Sequence, residues 1–327
     1  MRAPRLAMVR LALAALVFAT LPLACFAGSA SAKAPANGLP TLRLSIGDAY
    51  SYHGHRYVLP RTLVEVKGQV GAALDGQSIT VRIRKRHHTV RSKTVTLAQR
   101  GGNSGFSFRF RTGERGKYLV DTELTPDVAA LANAAGAKSV SVVDTNIHPG
   151  SKGVAVRLFQ SKLAALHYVV PRGGHFDSGT GRALLAFRKV NGMARTESAG
   201  YKVARKLAEG RGGFHLRYKG AGRHVEVSIA RQAMAFAANG KVVRIYHVST
   251  GAPGTPTVRG TFHVYRKDWG TNAKGMVNSN YFERGYAIHG YSTVPPYNAS
   301  HGCVRVPIPN AGSIFAWVHM GTRVDVY

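Results

Sequence analysis

The chain has 327 residues, 45% of them hydrophobic, and its 45 Lys and Arg against 15 Asp and Glu give a formal net charge of +30. The length allows two or three domains that each bury a core, and the hydrophobic share is ordinary for a globular chain. So strong a positive charge favours polyanionic surroundings, but no zinc-finger spacing, RNP-like aromatic motif or basic helical region accompanies it, which sets nucleic acid aside as a partner.

The first residues carry an address. Arg2, Arg5 and Arg10 form a basic start, residues 11–24 are apolar but too short to span a membrane comfortably, and Ala30-Ser31-Ala32 fits an A-x-A cleavage site. Residues 1–32 therefore read as a secretory signal peptide, leaving an exported protein with no integral membrane span after cleavage. An uncleaved anchor and a lipoprotein attached at Cys25 are the competing readings. Loss of the three arginines leaves a net charge of +27, which suits anionic polymers of a cell envelope as partners. Of the two cysteines, Cys25 would leave with the signal peptide and Cys303 would remain alone. An intramolecular disulfide is then ruled out, and the remaining thiol is either a buried bystander or a reactive group.

Residues 41–147 alternate with a period of two. Leu42, Leu44 and Ile46, then Val64 and Val66, then Ile79, Val81 and Ile83, then Phe106, Phe108 and Phe110 mark strands separated by glycine-rich breaks. The pattern predicts a β-sandwich-like domain. Its basic run between Arg82 and Lys93 reads as a solvated strand face. In residues 151–200 the period changes. Val156, Phe159, Leu163 and Leu166 recur at helical spacing, and Asp177 or Ser178 caps a second helix carrying Ala183, Leu184 and Phe187. Phe176, Thr180, Ala183 and Phe187 resemble the small helical peptidoglycan-binding module found beside wall enzymes, with Arg188 departing from its usual Gln. Residues 201–222, containing Gly210-Arg211-Gly212-Gly213, read as a linker. Residues 223–327 are again β, with Asn239-Gly240 as a hairpin signal, one helix over 309–318 and a last strand over 323–327.

The chemistry concentrates late in the chain, in Ile288-His289-Gly290 and Ser300-His301-Gly302-Cys303-Val304-Arg305. A solitary thiol with a neighbouring imidazole has the parts of a Cys-His acyl-transfer site, and such a partner is expected to hold the thiol pKa below the ~8.5 of a free cysteine. Gly302 lets backbone amides approach a substrate carbonyl as an oxyanion site requires, and Arg305 offers a fork for a carboxylate. A zinc site built from His289, His301 and Cys303 is the metal alternative, but no H-E-x-x-H or C-x-x-C spacing supports it, and metal is assigned to none of these residues. A structural histidine beside an inert cysteine is the other alternative.

This string resembles the L,D-transpeptidase (YkuD-like) catalytic domain, whose signature is an upstream His followed by S-H-G-C-x-[RN]. All its positions are present in His289, Ser300, His301, Gly302, Cys303 and Arg305. Ser249-Thr250-Gly251, Thr257, Gly260, Gly285-Tyr286-Ala287 and Pro295-Pro296-Tyr297 extend the likeness, while Val258 stands where a proline is usual. The resemblance implies an L,D-transpeptidase-type β-sandwich over 223–327, and with the N-terminal sandwich-like domain and the small helical module in the middle read from periodicity the expected protein is mainly β. It implies that Cys303 is the nucleophile and His289 the base, oriented by the Gly290 carbonyl. It gives the amides of Gly302 and Cys303 to an oxyanion hole, Ser300 and His301 to its support, and Arg305 and Tyr291 to substrate binding. The implied substrate is the peptidoglycan stem peptide and the implied product a 3→3 cross-link. Water or a protein amine as acceptor would instead give an L,D-carboxypeptidase or wall-protein anchoring. No cofactor is implied, because nucleophile and base both come from the chain. A sortase and an NlpC/P60 peptidase fit less well, the first because its His lies much further upstream, the second because its Cys precedes its His. A non-catalytic wall-binding protein remains as a different class of reading.

Overall fold

The computed structural model describes residues 39–71, 74–130 and 132–327. The expected signal peptide over 1–32, with its expected cleavage site and Cys25, lies outside the described residues.

The alternating stretch forms two sheets. One has the order β1-β4-β8-β7, with β1 at Arg43–Ile46, β4 at Leu63–Gly71, β7 at Ala98–Arg100 and β8 at Asn103–Arg111. The other has the order β2-β3-β10-β9-β5-β6, with β2 at Tyr50–Tyr52, β3 at His55–Val58, β5 at Ser78–Lys85, β6 at His88–Thr96, β9 at Gly116–Leu124 and β10 at Lys138–Val142. A single turn, α1, spans Pro126–Ala129. Val64, Val66, Ile79, Val81, Ile83, Phe106, Phe108 and Phe110 fill one buried core, as their period of two requires. The basic run is a strand face: Arg82 and Arg84 pair with Asp121 on β9, and β6 is a largely exposed edge strand.

Three helices follow: α2 at Val154–Ala165, α3 at Ser178–Val190 and α4 at Tyr201–Ala208. Asp177 caps α3, its Oδ1 accepting from the Thr180 amide at 2.8 Å. Phe176, Thr180, Ala183 and Phe187 are all buried, so the positions that resemble a glycan-binding module build core. That core also takes in Leu59, Val143 and Ile147 from the chain before the helices and Ala233, Ala235 and Ile245 from the chain after them. The expected linker over 201–222 is overturned in its first third, because Val203, Ala204 and Leu207 present a buried stripe that makes α4. The glycine cluster just beyond had hidden so short a helix.

The remaining chain forms two facing sheets. The first has the order β13-β12-β11-β19-β14, with β11 at His224–Ser228, β12 at Ala233–Ala238, β13 at Lys241–His247, β14 at Gly260–His263 and β19 at Arg323–Val326. The second has the order β15-β16-β17-β18, with β15 at Arg266–Thr271, β16 at Val277–Glu283, β17 at Tyr286–Tyr291 and β18 at Val304–Pro307. Helix α5, Ile308–Trp317, packs on β16, β17 and β18. Asn239 and Gly240 turn β12 into β13, both with positive φ (51° and 70°), as a tight hairpin demands. Val225, Val227, Phe236, Ile288, Val304 and Ile314 share the core between the sheets. The other side of β12 and β13 is covered by α3, while on β11 Glu226 is covered by the Arg217 and Tyr218 amides and the Tyr327 hydroxyl, and both strands are buried along their length. Among the described residues no helix is long and apolar enough to cross a membrane.

Candidate active site

Strands β17 and β18 run parallel, with Ile288 opposite Val304 and His289 opposite Arg305. Alternation then sends Ile288, Val304 and Val306 into the core and leaves His289, Tyr291 and Arg305 on the other face. Cys303 stands one residue before β18, which by the same register sets it beside Ala287 and on the face of His289. The two side chains are diagonal neighbours across adjacent strands, a spacing within the reach of an aromatic side chain. Cys303 packs with Met276, Tyr281 and Ala287, half-buried.

His289 is buried, and its Nδ1 lies 2.9 Å from the Gly290 carbonyl. A carbonyl only accepts, so Nδ1 carries the ring proton and Nε2 keeps its lone pair. The Tyr291 ring meets the imidazole in a T-shaped contact, 5.7 Å between centroids and 87° between planes. Burial holds the imidazole below its usual range, and the Arg305 charge adds to this against the Gly290 bond. The Cys303 thiol shifts upward, because burial outweighs its backbone bond with Ala287 and the nearby charges of Arg305 and Lys274. This reverses the expectation of a depressed thiol. The resting pair is a neutral thiol and a neutral imidazole, and Sγ donates to the Gly285 carbonyl at 3.6 Å.

The loop that carries Cys303 is held from within and from below. Ser300 Oγ donates to the Cys303 carbonyl at 2.5 Å and accepts from the Gly302 amide at 3.1 Å. The Gly302 N–H is therefore engaged inside the loop, and its expected place in an oxyanion hole is not met in this arrangement. The amides of Ala299 and Ser300 donate to the Thr250 carbonyl, and the Ala252 amide and Thr255 Oγ1 donate to the Ser300 carbonyl, all between 2.8 and 3.0 Å. Thr257 Oγ1 accepts from the Gly251 amide at 2.8 Å. The Ser249-Thr250-Gly251 segment is thus the floor of the loop. Arg305 stacks on Tyr291 at 4.1 Å, and among the described residues its guanidinium has no acidic partner, which leaves the fork open to a carboxylate. His301 is exposed and forms no hydrogen bond among the described residues. Nor do His289, His301 and Cys303 gather as metal ligands: among the described residues no three His, Cys, Asp or Glu side chains are placed to hold an ion.

Two supporting residues had no signal in the sequence pattern. Gln232 is fully buried, accepting from the Thr250 amide at 2.8 Å and donating to Thr250 Oγ1 at 2.5 Å. Asn298 Nδ2 donates to the same Oγ1 at 3.0 Å. A lone amide in a turn looks like any solvated turn residue until the fold closes over it.

Gly302 has a specific reason to be glycine. Its φ is +108°, and a Cβ there would sit 2.3 Å from Cε1 of Tyr286. Gly302→Ala is expected to destabilise the protein by about 1–3 kcal/mol and to slow alkylation of Cys303 through displacement of the loop. Denaturant unfolding and timed iodoacetamide labelling check the two effects.

A sequence model of the L,D-transpeptidase catalytic domain matches residues 222–326. Among solved structures, the chain is similar to the L,D-transpeptidase (residues 123–326) from Xylanimonas cellulosilytica, at 32% identity and a TM-score of 0.53, over 57% of this chain and 98% of that one. It is also similar to an L,D-transpeptidase from Stackebrandtia nassauensis, at 22% identity and a TM-score of 0.36, over 57% of this chain and 97% of that one. An L,D-transpeptidase from Mycobacterium smegmatis aligns with 88% of this chain and 99% of its own, at 12% identity and a TM-score of 0.29. No curated protein matches.

Proposed function

The chain belongs to the L,D-transpeptidase family, and from that premise we propose that it is exported to the cell wall and joins peptidoglycan stem peptides through a thioester on Cys303. The observation that carries this reading is the His289 ring, whose Nδ1 proton is committed to the Gly290 carbonyl, so that Nε2 is the basic nitrogen on the face of Cys303. As the sulfur attacks the carbonyl between the third residue of the stem and its terminal D-Ala, Nε2 takes the thiol proton. The Cys303 amide is the donor left to the oxyanion, since Ser300 already occupies that of Gly302. The imidazolium returns the proton to the departing D-Ala amine, and the thioester remains. A side-chain amine of a second stem then loses a proton to His289, attacks the thioester and restores the thiol, leaving a 3→3 cross-link. Arg305, stacked on Tyr291, holds a stem carboxylate during both steps. The +27 charge of the chain without residues 1–32 would keep the enzyme near anionic envelope polymers.

Incubation with defined tetrapeptide stems, followed by mass analysis of products, tests this. The expected products are free D-Ala and a 3→3 dimer. A tripeptide without dimer would make the protein an L,D-carboxypeptidase, and no release of D-Ala at all would overturn the proposal.

A further inference from the structure

Lys189 is the second-last residue of α3 and lies almost wholly buried, 2% exposed, in contact with the sheet that carries the loop floor. Its Nζ reaches three groups: the Gln232 carbonyl at 3.2 Å, the Val248 carbonyl at 2.9 Å and Nδ1 of His247 at 2.8 Å. All three belong to the turn after β11 or to the end of β13, where the chain enters Ser249-Thr250-Gly251. None of them carries a negative charge. A cation buried without a carboxylate is costly, and burial pushes this amine down to about 6, with Arg195 adding to the shift. The facing imidazole of His247 is held down to about 3, by burial and then by Lys189 and Arg182, so it is neutral near pH 7. Apolar surroundings would have been filled more cheaply by Leu or Met, which makes the placement of an amine here informative.

A continuous path of hydrogen bonds leads from that amine to the nucleophile. Lys189 holds the Gln232 backbone, and the Gln232 side chain holds both the amide and the hydroxyl of Thr250. The Thr250 carbonyl holds the amides of Ala299 and Ser300, and Ser300 Oγ clasps the Gly302 amide and the Cys303 carbonyl. On the other branch Lys189 fixes Val248, and its neighbour Ser249 exchanges both backbone bonds with Arg305, at 3.0 and 2.9 Å.

We propose that Lys189 is a positioning residue, an amine supplied by the helical segment that pins the floor of the nucleophile loop so that Cys303 faces His289. The helices then act as part of the transpeptidase machinery. The proposal rests on Cys303 and His289 being nucleophile and base.

The test compares the wild-type chain with Lys189→Met, which keeps the length and removes the donors, and Lys189→Gln, which restores two N–H groups on a shorter stem. For K189M the rate constant of Cys303 acylation by a tetrapeptide stem is expected to fall at least about tenfold with substrate affinity little changed, and K189Q to recover part of the loss. Both variants are expected to fold, with Tm within about 5 °C of wild type. The pH dependence of stability adds a readout. With the buried amine near 6 and the unfolded one near 10.5, the unfolded state binds more protons between those values. Wild-type stability therefore rises with pH across that window, and in K189M that rise is absent. Iodoacetamide labelling of Cys303 runs in parallel and needs no stem peptide. A wild type inert to the stem whose labelling still depends on Lys189 would refute the transpeptidase reading and uphold the positioning role. A K189M that reacts at wild-type rate, or both variants failing to fold, would overturn the proposal.

Discussion

Cys303→Ala protein is expected to form no acyl adduct with a tetrapeptide stem and to lose D-Ala release by more than about 10⁴-fold, because no neighbouring group can replace a sulfur nucleophile. Cys303 is the free cysteine among the described residues, and Ser300, the nearest hydroxyl in the loop, is committed to the Cys303 carbonyl and the Gly302 amide. The fold should survive the change, since the side chain is half-buried at the edge of a small cluster with Met276, Tyr281 and Ala287. A circular-dichroism melt close to wild type, with activity absent, is the expected combination.

The second large effect belongs to His289. Its removal is expected to slow acylation by about 10²–10⁴-fold, the usual worth of a general base. The pH behaviour separates two mechanisms. In a resting thiolate–imidazolium pair the thiol is depressed, and loss of the imidazole would raise it. Here burial lifts the Cys303 thiol and lowers the His289 imidazole, so both are neutral around pH 7. Iodoacetamide labelling of the wild type should accordingly have its midpoint above that of an ordinary thiol. His289→Ala admits water beside the sulfur and should leave that midpoint unchanged or lower it. Acylation of the wild type should hold steady through neutral pH and fall as acid protonates His289 below its usual range. A midpoint that rises in His289→Ala would show the ion-pair mechanism instead.

The strands and their inward residues were legible because a period of two is a local signal that burial merely ratifies, as Phe106, Phe108 and Phe110 show. The placement of His289 and Cys303 on one face was legible for a different reason: they are signature residues at fixed spacing, one on a strand and the other directly before the adjacent parallel strand. Three features were not. Helix α4 carries a buried stripe of three residues beside a glycine cluster, too short for periodicity to stand out. The direction of the thiol shift depends on how much protein covers the sulfur, which only the packing of Met276 and Tyr281 against it decides. Lys189 and Gln232 gave no sequence signal, because a polar side chain declares itself buried only when other segments close over it.

Intact-mass and peptide mapping after brief exposure to a tetrapeptide stem bear most directly on the central claim. The chain should gain the mass of the stem less its terminal D-Ala, with the added mass on the peptide containing Cys303 and lost on treatment with hydroxylamine. An adduct on any other residue, or D-Ala release that persists in Cys303→Ala, would contradict it.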